Sequence, residues 1–159
     1  MQLPPSLRAA IDRELEGIAL ADLARASEAL SQRYRAEVQD GRLHLADDAI
    51  ARAYLTTRLP ATFAAVSAAL ASVAEARSDL APRSVLDAGA GPGTATWAAA
   101  QLWDSLEDAT LVEASAAIRG VGARLGLPLP HVSWHAARLD VALADLSLSD
   151  LVLLAYVLD

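Results

Sequence analysis

The sequence predicts an α/β fold: a helical N-terminal region over residues 1–80, followed over residues 81–159 by the first half of a doubly wound, Rossmann-like sheet of about four parallel strands. Three observations predict it. Through the first half, apolar residues recur at three- and four-residue intervals. After Asp79-Leu80-Ala81-Pro82, short apolar runs alternate with helical stretches, the pattern of βαβ units. One of those runs, Ser84-Val85-Leu86-Asp87-Ala88, leads directly into Gly89-Ala90-Gly91-Pro92-Gly93-Thr94, a strand, a glycine turn and a helix start.

Each element has its own signal. Leu7, Ile11 and Leu15 give a first helix that Gly17 stops. A second carries Leu23, Ser27, Leu30, Tyr34 and Val38 on one stripe, and Asp40-Gly41 marks a turn. Asp47 is a good N-cap for a third helix containing Ile50, Ala53, Tyr54 and Leu55. Pro60 interrupts it and opens a fourth, with Phe63, Val66, Leu70 and Val73 in helical rhythm. Val85-Leu86 begins the first strand, and Thr94–Trp103 is the first crossover helix. Thr110-Leu111-Val112-Glu113 is a second strand ending in an acid. Ser115 caps a helix through Ile118, Val121 and Leu125 that stops at Gly126, and His131–His135 is a third strand. The run Leu151–Leu158 lacks alternation, as expected of a parallel strand covered on both faces.

Composition narrows the function classes. With 54% apolar and 21% charged residues the chain is globular, and its length is about that of one domain. Every basic side chain is Arg. Residues 1–80 hold nine Arg against eleven acids, and residues 81–159 hold four against nine. That balance argues against a broad phosphate-gripping surface on this chain alone. Its Arg residues are interleaved with acids and read as solvated helix faces. There is no cysteine, hence no disulfide or thiolate metal site, and His44, His131 and His135 lack metal-ligand spacing. No secretory leader and no uninterrupted apolar run of membrane-spanning length is visible, so a reducing, cytoplasmic setting is expected.

The glycine turn carries the chemistry. Asp87 precedes Gly89-x-Gly91-x-Gly93 by two residues. A dinucleotide fingerprint would place its third glycine where Thr94 stands, which disfavours NAD and FAD. An acid followed by three alternating glycines resembles instead the first motif of S-adenosylmethionine-dependent methyltransferases. Glycines at Gly89, Gly91 and Gly93 let backbone pass close to a ligand, flanked by Ala88, Ala90 and Thr94, while Asp87 orients the cofactor's amino group or its waters. Glu113, twenty residues beyond Gly93, suits the two ribose hydroxyls, since a carboxylate accepts both. Asp140, past the third strand, is the candidate for the adenine, with Leu139 as its apolar neighbour. Tyr156 falls at the carboxyl edge of the fourth strand, where ligands bind in open parallel sheets. Trp97 and Trp103 read as packing residues. No Gly-x-Ser-x-Gly elbow frames a nucleophile, and no catalytic residue is assigned.

Longer stretches sharpen the likeness. Leu30-Ser31-x-x-Tyr34-Arg35, then Ala53-Tyr54-Leu55-x-x-Arg58-Leu59-Pro60-Ala61-Thr62-Phe63-Ala64-Ala65-Val66, then Leu86 through Thr94-Ala95-x-Trp97-Ala98 together resemble the small-ribosomal-subunit methyltransferase-like (Rsm-twenty-two) family, which has mitochondrial and bacterial members. Asp150-Leu151-Val152 to Tyr156-Val157-Leu158 fits as well. The resemblance implies a helical region followed by a class I methyltransferase fold, S-adenosylmethionine as cofactor, and the small ribosomal subunit or its rRNA as partner. It also implies that longer members continue past the fourth strand with cysteines able to hold an iron–sulfur cluster, which this chain lacks.

The sequence therefore leads to a methyltransferase of the small-subunit rRNA type. The alternatives are a non-catalytic ribosome-assembly or scaffold factor on the same fold, and a small-molecule methyltransferase. Because the chain stops at Asp159, just after the fourth strand, it is expected to be part of a longer domain. Alone it is expected to be a poor catalyst that self-associates through an apolar strand edge.

Overall fold

The computed structural model describes residues 2–35, 47–138 and 148–156. Four helices come first: α1 (Pro5–Leu15), α2 (Leu20–Arg35), α3 (Asp48–Thr57) and α4 (Leu59–Ala76). Then follow β1 (Ser84–Ala88), α5 (Thr94–Leu102), β2 (Asp108–Val112), α6 (Ala116–Leu125), β3 (His131–His135) and β4 (Leu151–Leu153). The strands form one parallel sheet in the order β3-β2-β1-β4. It is an α/β fold with a four-stranded, Rossmann-like sheet.

Local chemistry sets the boundaries. Asp47 accepts the Ile50 N–H at 2.8 Å and starts α3. Pro60 sits in the first turn of α4, where its missing N–H breaks no helical bond, so one apolar stretch becomes two helices hinged at Arg58. Gly17 closes α1 and Gly126 closes α6, both at positive φ. Trp103 lies just past α5 as its C-cap, one residue short of the expected helix end, because its backbone turns extended there.

The helices form a layer on one face of the sheet. Right-handed crossovers put α5 and α6 together on that face. Helix α4 packs on α5 beside the β4 edge, while α1 and α3 pack on α6 and α2 packs on α3. A single apolar cluster joins Leu7 and Ile11 of α1, Leu55 of α3 and Phe63 of α4 to Trp97, Ile118 and the sheet residues Val85 and Leu111. Burying a side chain such as Phe63 or Leu7 contributes roughly 1.5–3 kcal/mol each, so the N-terminal helices are integral to the core beneath the turn. Among the described residues α4 alone has the length and apolarity of a membrane-crossing helix, with mean hydropathy 1.4. Leu59, Phe63, Ser67 and Leu70 on one face of it are buried against the protein, 22% of its length.

A polar clasp reinforces the layers. Glu14 of α1, almost buried, accepts both Nε and a terminal nitrogen of Arg124 at 2.8 and 2.7 Å, and Arg52 Nε at 3.0 Å. These guanidinium bonds, with that of Arg124 foremost, hold the Glu14 carboxyl below its ordinary range against the opposing effect of burial.

The fourth strand departs from expectation. Its ladder is only Leu151–Leu153, paired to Val85–Asp87, and residues beyond Tyr156 lie outside the described ones. Within the described residues it is the apolar sheet edge that was expected, but it is not covered on both faces: Leu153 is buried and Val152 is 50% exposed. Val38 and His44 also fall outside the described residues.

Candidate cofactor site at the glycine turn

The turn sits where β1 runs out at the carboxyl edge of the sheet. Gly89, Gly91 and Gly93 all take positive φ, at 76°, 55° and 81°, which a side chain at Cβ would disfavour. The loop is tied down from within. Gly89 and Ala90 both donate to the Val112 carbonyl at 2.9 and 3.0 Å, and Gly93 donates to Ala90 at 2.8 Å. A Cβ built on Gly91 meets nothing within 4 Å, so the tip of the turn faces open space.

Glu113 closes the circuit. One carboxylate oxygen accepts the Gly91 N–H at 3.0 Å and the other accepts the Ser115 N–H at 2.7 Å. Ser115 in turn caps α6 through Ile118 N–H, while Arg119 donates to the Glu113 carbonyl at 2.7 Å. The acid at the end of β2 thus touches both the turn and the start of the next helix.

Asp87 lies beneath the turn. Its register partners are Leu111 and Leu153, so a carboxylate shares a row with apolar side chains on the helix-covered face. It is 1% exposed. One oxygen accepts the Thr96 N–H at 3.2 Å and the Thr96 hydroxyl at 2.7 Å, capping the first turn of α5 from outside. Burial pushes its pKa up to about 6; the Thr96 bonds oppose this, and the Glu113 charge adds a little to it. The other oxygen has no hydrogen-bond partner, and neither has the buried hydroxyl of Thr94.

The expected site residues therefore divide. Asp87, Ala88, Gly89, Ala90, Gly91, Gly93, Thr94 and Glu113 converge on one loop between β1, β2 and α5. Tyr156 lies three residues past β4, 74% exposed and at φ 59°. With Leu154 and Ala95 it lines a cavity of about 340 Å³ between α4 and the sheet edge. Asp140 and Leu139 lie outside the described residues. Two positioning residues carried too little sequence signal to be found. Thr96 pairs with a residue nine positions earlier, and Asp150 binds the Arg83 and Ser84 N–H groups at 2.8 and 3.1 Å, fastening β4 to the start of β1.

Two buried oxygens without a hydrogen-bond partner, Asp87 Oδ1 and Thr94 Oγ1, belong to residues flanking a glycine turn that is open at Gly91, and the Glu113 carboxylate stands beside it: a set of polar groups that suits a small polar ligand.

No curated protein matches the chain significantly. A family model described as mitochondrial small ribosomal subunit Rsm22 matches residues 48–159, from the first residue of α3 onward, leaving α1 and the Leu30–Arg35 stretch outside the match. The matched region takes in the glycine turn, Glu113 and all four strands, and spans more than two thirds of the sequence; the chain belongs to the Rsm22 family.

Proposed function

We propose that this chain binds S-adenosylmethionine at the Gly89–Gly93 turn and serves methyl transfer to the RNA of the small ribosomal subunit. The observation that carries the proposal is the junction of Glu113 with Gly91. It sets a bidentate acceptor beside Gly91, where the turn faces open space. The family's description, which names the small ribosomal subunit, supports the choice of partner.

Each residue has a task in this reading. Gly91 admits the methionine moiety without a Cβ in the way, while Gly93, at positive φ, keeps the turn packed against Leu111. Glu113 exchanges its bonds to Gly91 and Ser115 for the ribose hydroxyls, which are comparable donors. Asp87 acts through Thr96 to fix the first turn of α5, its other oxygen buried beneath the turn. Bound S-adenosylmethionine supplies an electrophilic methyl group for in-line transfer, a reaction that depends on placement of the acceptor more than on acid–base help.

Calorimetric titration of the chain with S-adenosylmethionine tests this. Saturable heat that disappears in Gly91→Arg supports it, because that side chain would fill the open tip. No heat at high cofactor concentration overturns it. A second reading, a scaffold on the same fold, is favoured by a family description that names a ribosomal subunit and no reaction. Recovery of small-subunit particles with a chain that binds no cofactor would select it.

A further inference from the structure

The glycine turn is held from the side by helix α6, at a glycine that no sequence motif marks. We infer that Gly122 is a positioning residue, whose missing side chain lets α6 press directly on Pro92 and so fixes the conformation of Gly91-Pro92-Gly93.

A Cβ built on Gly122 would stand 2.9 Å from both the Cα and the carbonyl carbon of Pro92, and 2.7 Å from Cη2 of Trp134. The Pro92 atoms are backbone, so relief requires that the turn or the helix move. The indole edge of Trp134 on β3 is also 3.7 Å from where a Gly93 Cβ would lie, so one ring edge faces both Gly93 and Gly122. Gly120, one position before Val121 on the same helix, is a natural control. Its Cβ would meet only the end of the Arg124 side chain at 3.4 Å. Glycine inside a helix is unfavourable by about 1 kcal/mol relative to alanine, so at position 120 alanine is neutral or better. At position 122 it drives a methyl group into the cofactor turn.

The effect on binding rests on the cofactor reading above, but the effect on the turn does not. The experiment therefore has two readouts on the full chain: amide hydrogen exchange of the segment 89–93 without ligand, and affinity for S-adenosylmethionine by calorimetry. Gly122→Ala is expected to speed exchange in that segment and to weaken binding, each by about tenfold, the scale of a methyl group forced into packed surroundings. Gly120→Ala is expected to match the wild type in both. The double variant Gly122→Ala/Trp134→Phe removes the shortest approach but not the two to Pro92. It should fold and keep the fast exchange, whereas simple overpacking against the indole would be rescued by it. If Gly122→Ala does not fold, the double variant carries the test. Wild-type exchange over residues 89–93 in the double variant overturns the inference. Absence of binding by the wild type overturns the cofactor reading while the exchange result still decides the role of Gly122.

Discussion

Glu113 and Gly91 are joined by a 3.0 Å hydrogen bond across the gap between β2 and the glycine turn. The same carboxylate holds the Ser115 N–H, so a single side chain links the turn to the first residues leading into α6. Two backbone donors depend on it, and a glutamine could accept from only one of them through its carbonyl.

Glu113→Gln should therefore lower stability by about 1–2 kcal/mol, the scale of one part-buried backbone donor left unpaired. S-adenosylmethionine affinity should fall by about tenfold, the loss of one charge-assisted bond. Thermal unfolding and calorimetry read the two effects separately. A stable variant with weakened binding would assign Glu113 to the ligand alone.

Asp87 gives a pH dependence of fixed sign. Its folded pKa, about 6, is above the ordinary carboxyl value of 3.8, so the folded state binds the proton more tightly than the unfolded chain. Its contribution is greatest in acid, declines as pH rises from about 4 to about 6, and is constant above that. The full span is on the order of 3 kcal/mol. Urea denaturation between pH 4 and pH 8 should show this decline, and Asp87→Asn should flatten it. Thr96→Val, which removes the 2.7 Å bond that favours the charged form, should move the decline to higher pH. An unchanged profile in Asp87→Asn would assign the slope to another group.

Glu14 behaves in the opposite sense. Its carboxyl is held low by Arg124 and Arg52, so its contribution is present above the unfolded pKa and lost as pH falls through the folded one. Glu14→Gln should reduce stability at neutral pH by about 1–2 kcal/mol, a figure kept small because the two Arg side chains are partly exposed. The denaturation midpoint measures it. Exchange of α1 amides should rise with it, because α1 is the element this residue ties down.

Asp150 fastens the sheet edge. Asp150→Ala removes the acceptor for the Arg83 and Ser84 N–H groups and for the Ser84 hydroxyl. Amide exchange in Leu151–Leu153 should become severalfold faster while β2 and β3, farther across the sheet, remain as they are. Equal acceleration in all strands would show that Asp150 supports the whole sheet.

Local signals made much of this fold legible. Asp47 and Ser115 are caps whose side chains bond three residues ahead, and they mark α3 and α6 to the residue. Pro60 separates α3 from α4 for a purely local reason. At the site, alternating glycines and an acid after β2 were visible because backbone conformation and charge are written in residue types. Contacts across the fold were not. Gly122 against Pro92, Thr96 against Asp87 and Asp150 against Arg83 each join parts that only the folded chain brings together. An unbroken apolar run likewise cannot say how far its two faces are covered: Leu151–Leu158 was expected to be covered on both, and Val152 is half exposed.

The internal bonding of the glycine turn has a thermodynamic consequence. Gly89 and Ala90 already bond Val112, Gly91 bonds Glu113, and Gly93 bonds Ala90, all without a ligand. A molecule arriving there exchanges the Glu113 bonds but need not order a loop, so little of its interaction energy is diverted to immobilising the chain. Discrimination between a cofactor and its spent product would then rest on differences in their own charge and shape. The receptor would be the same for both.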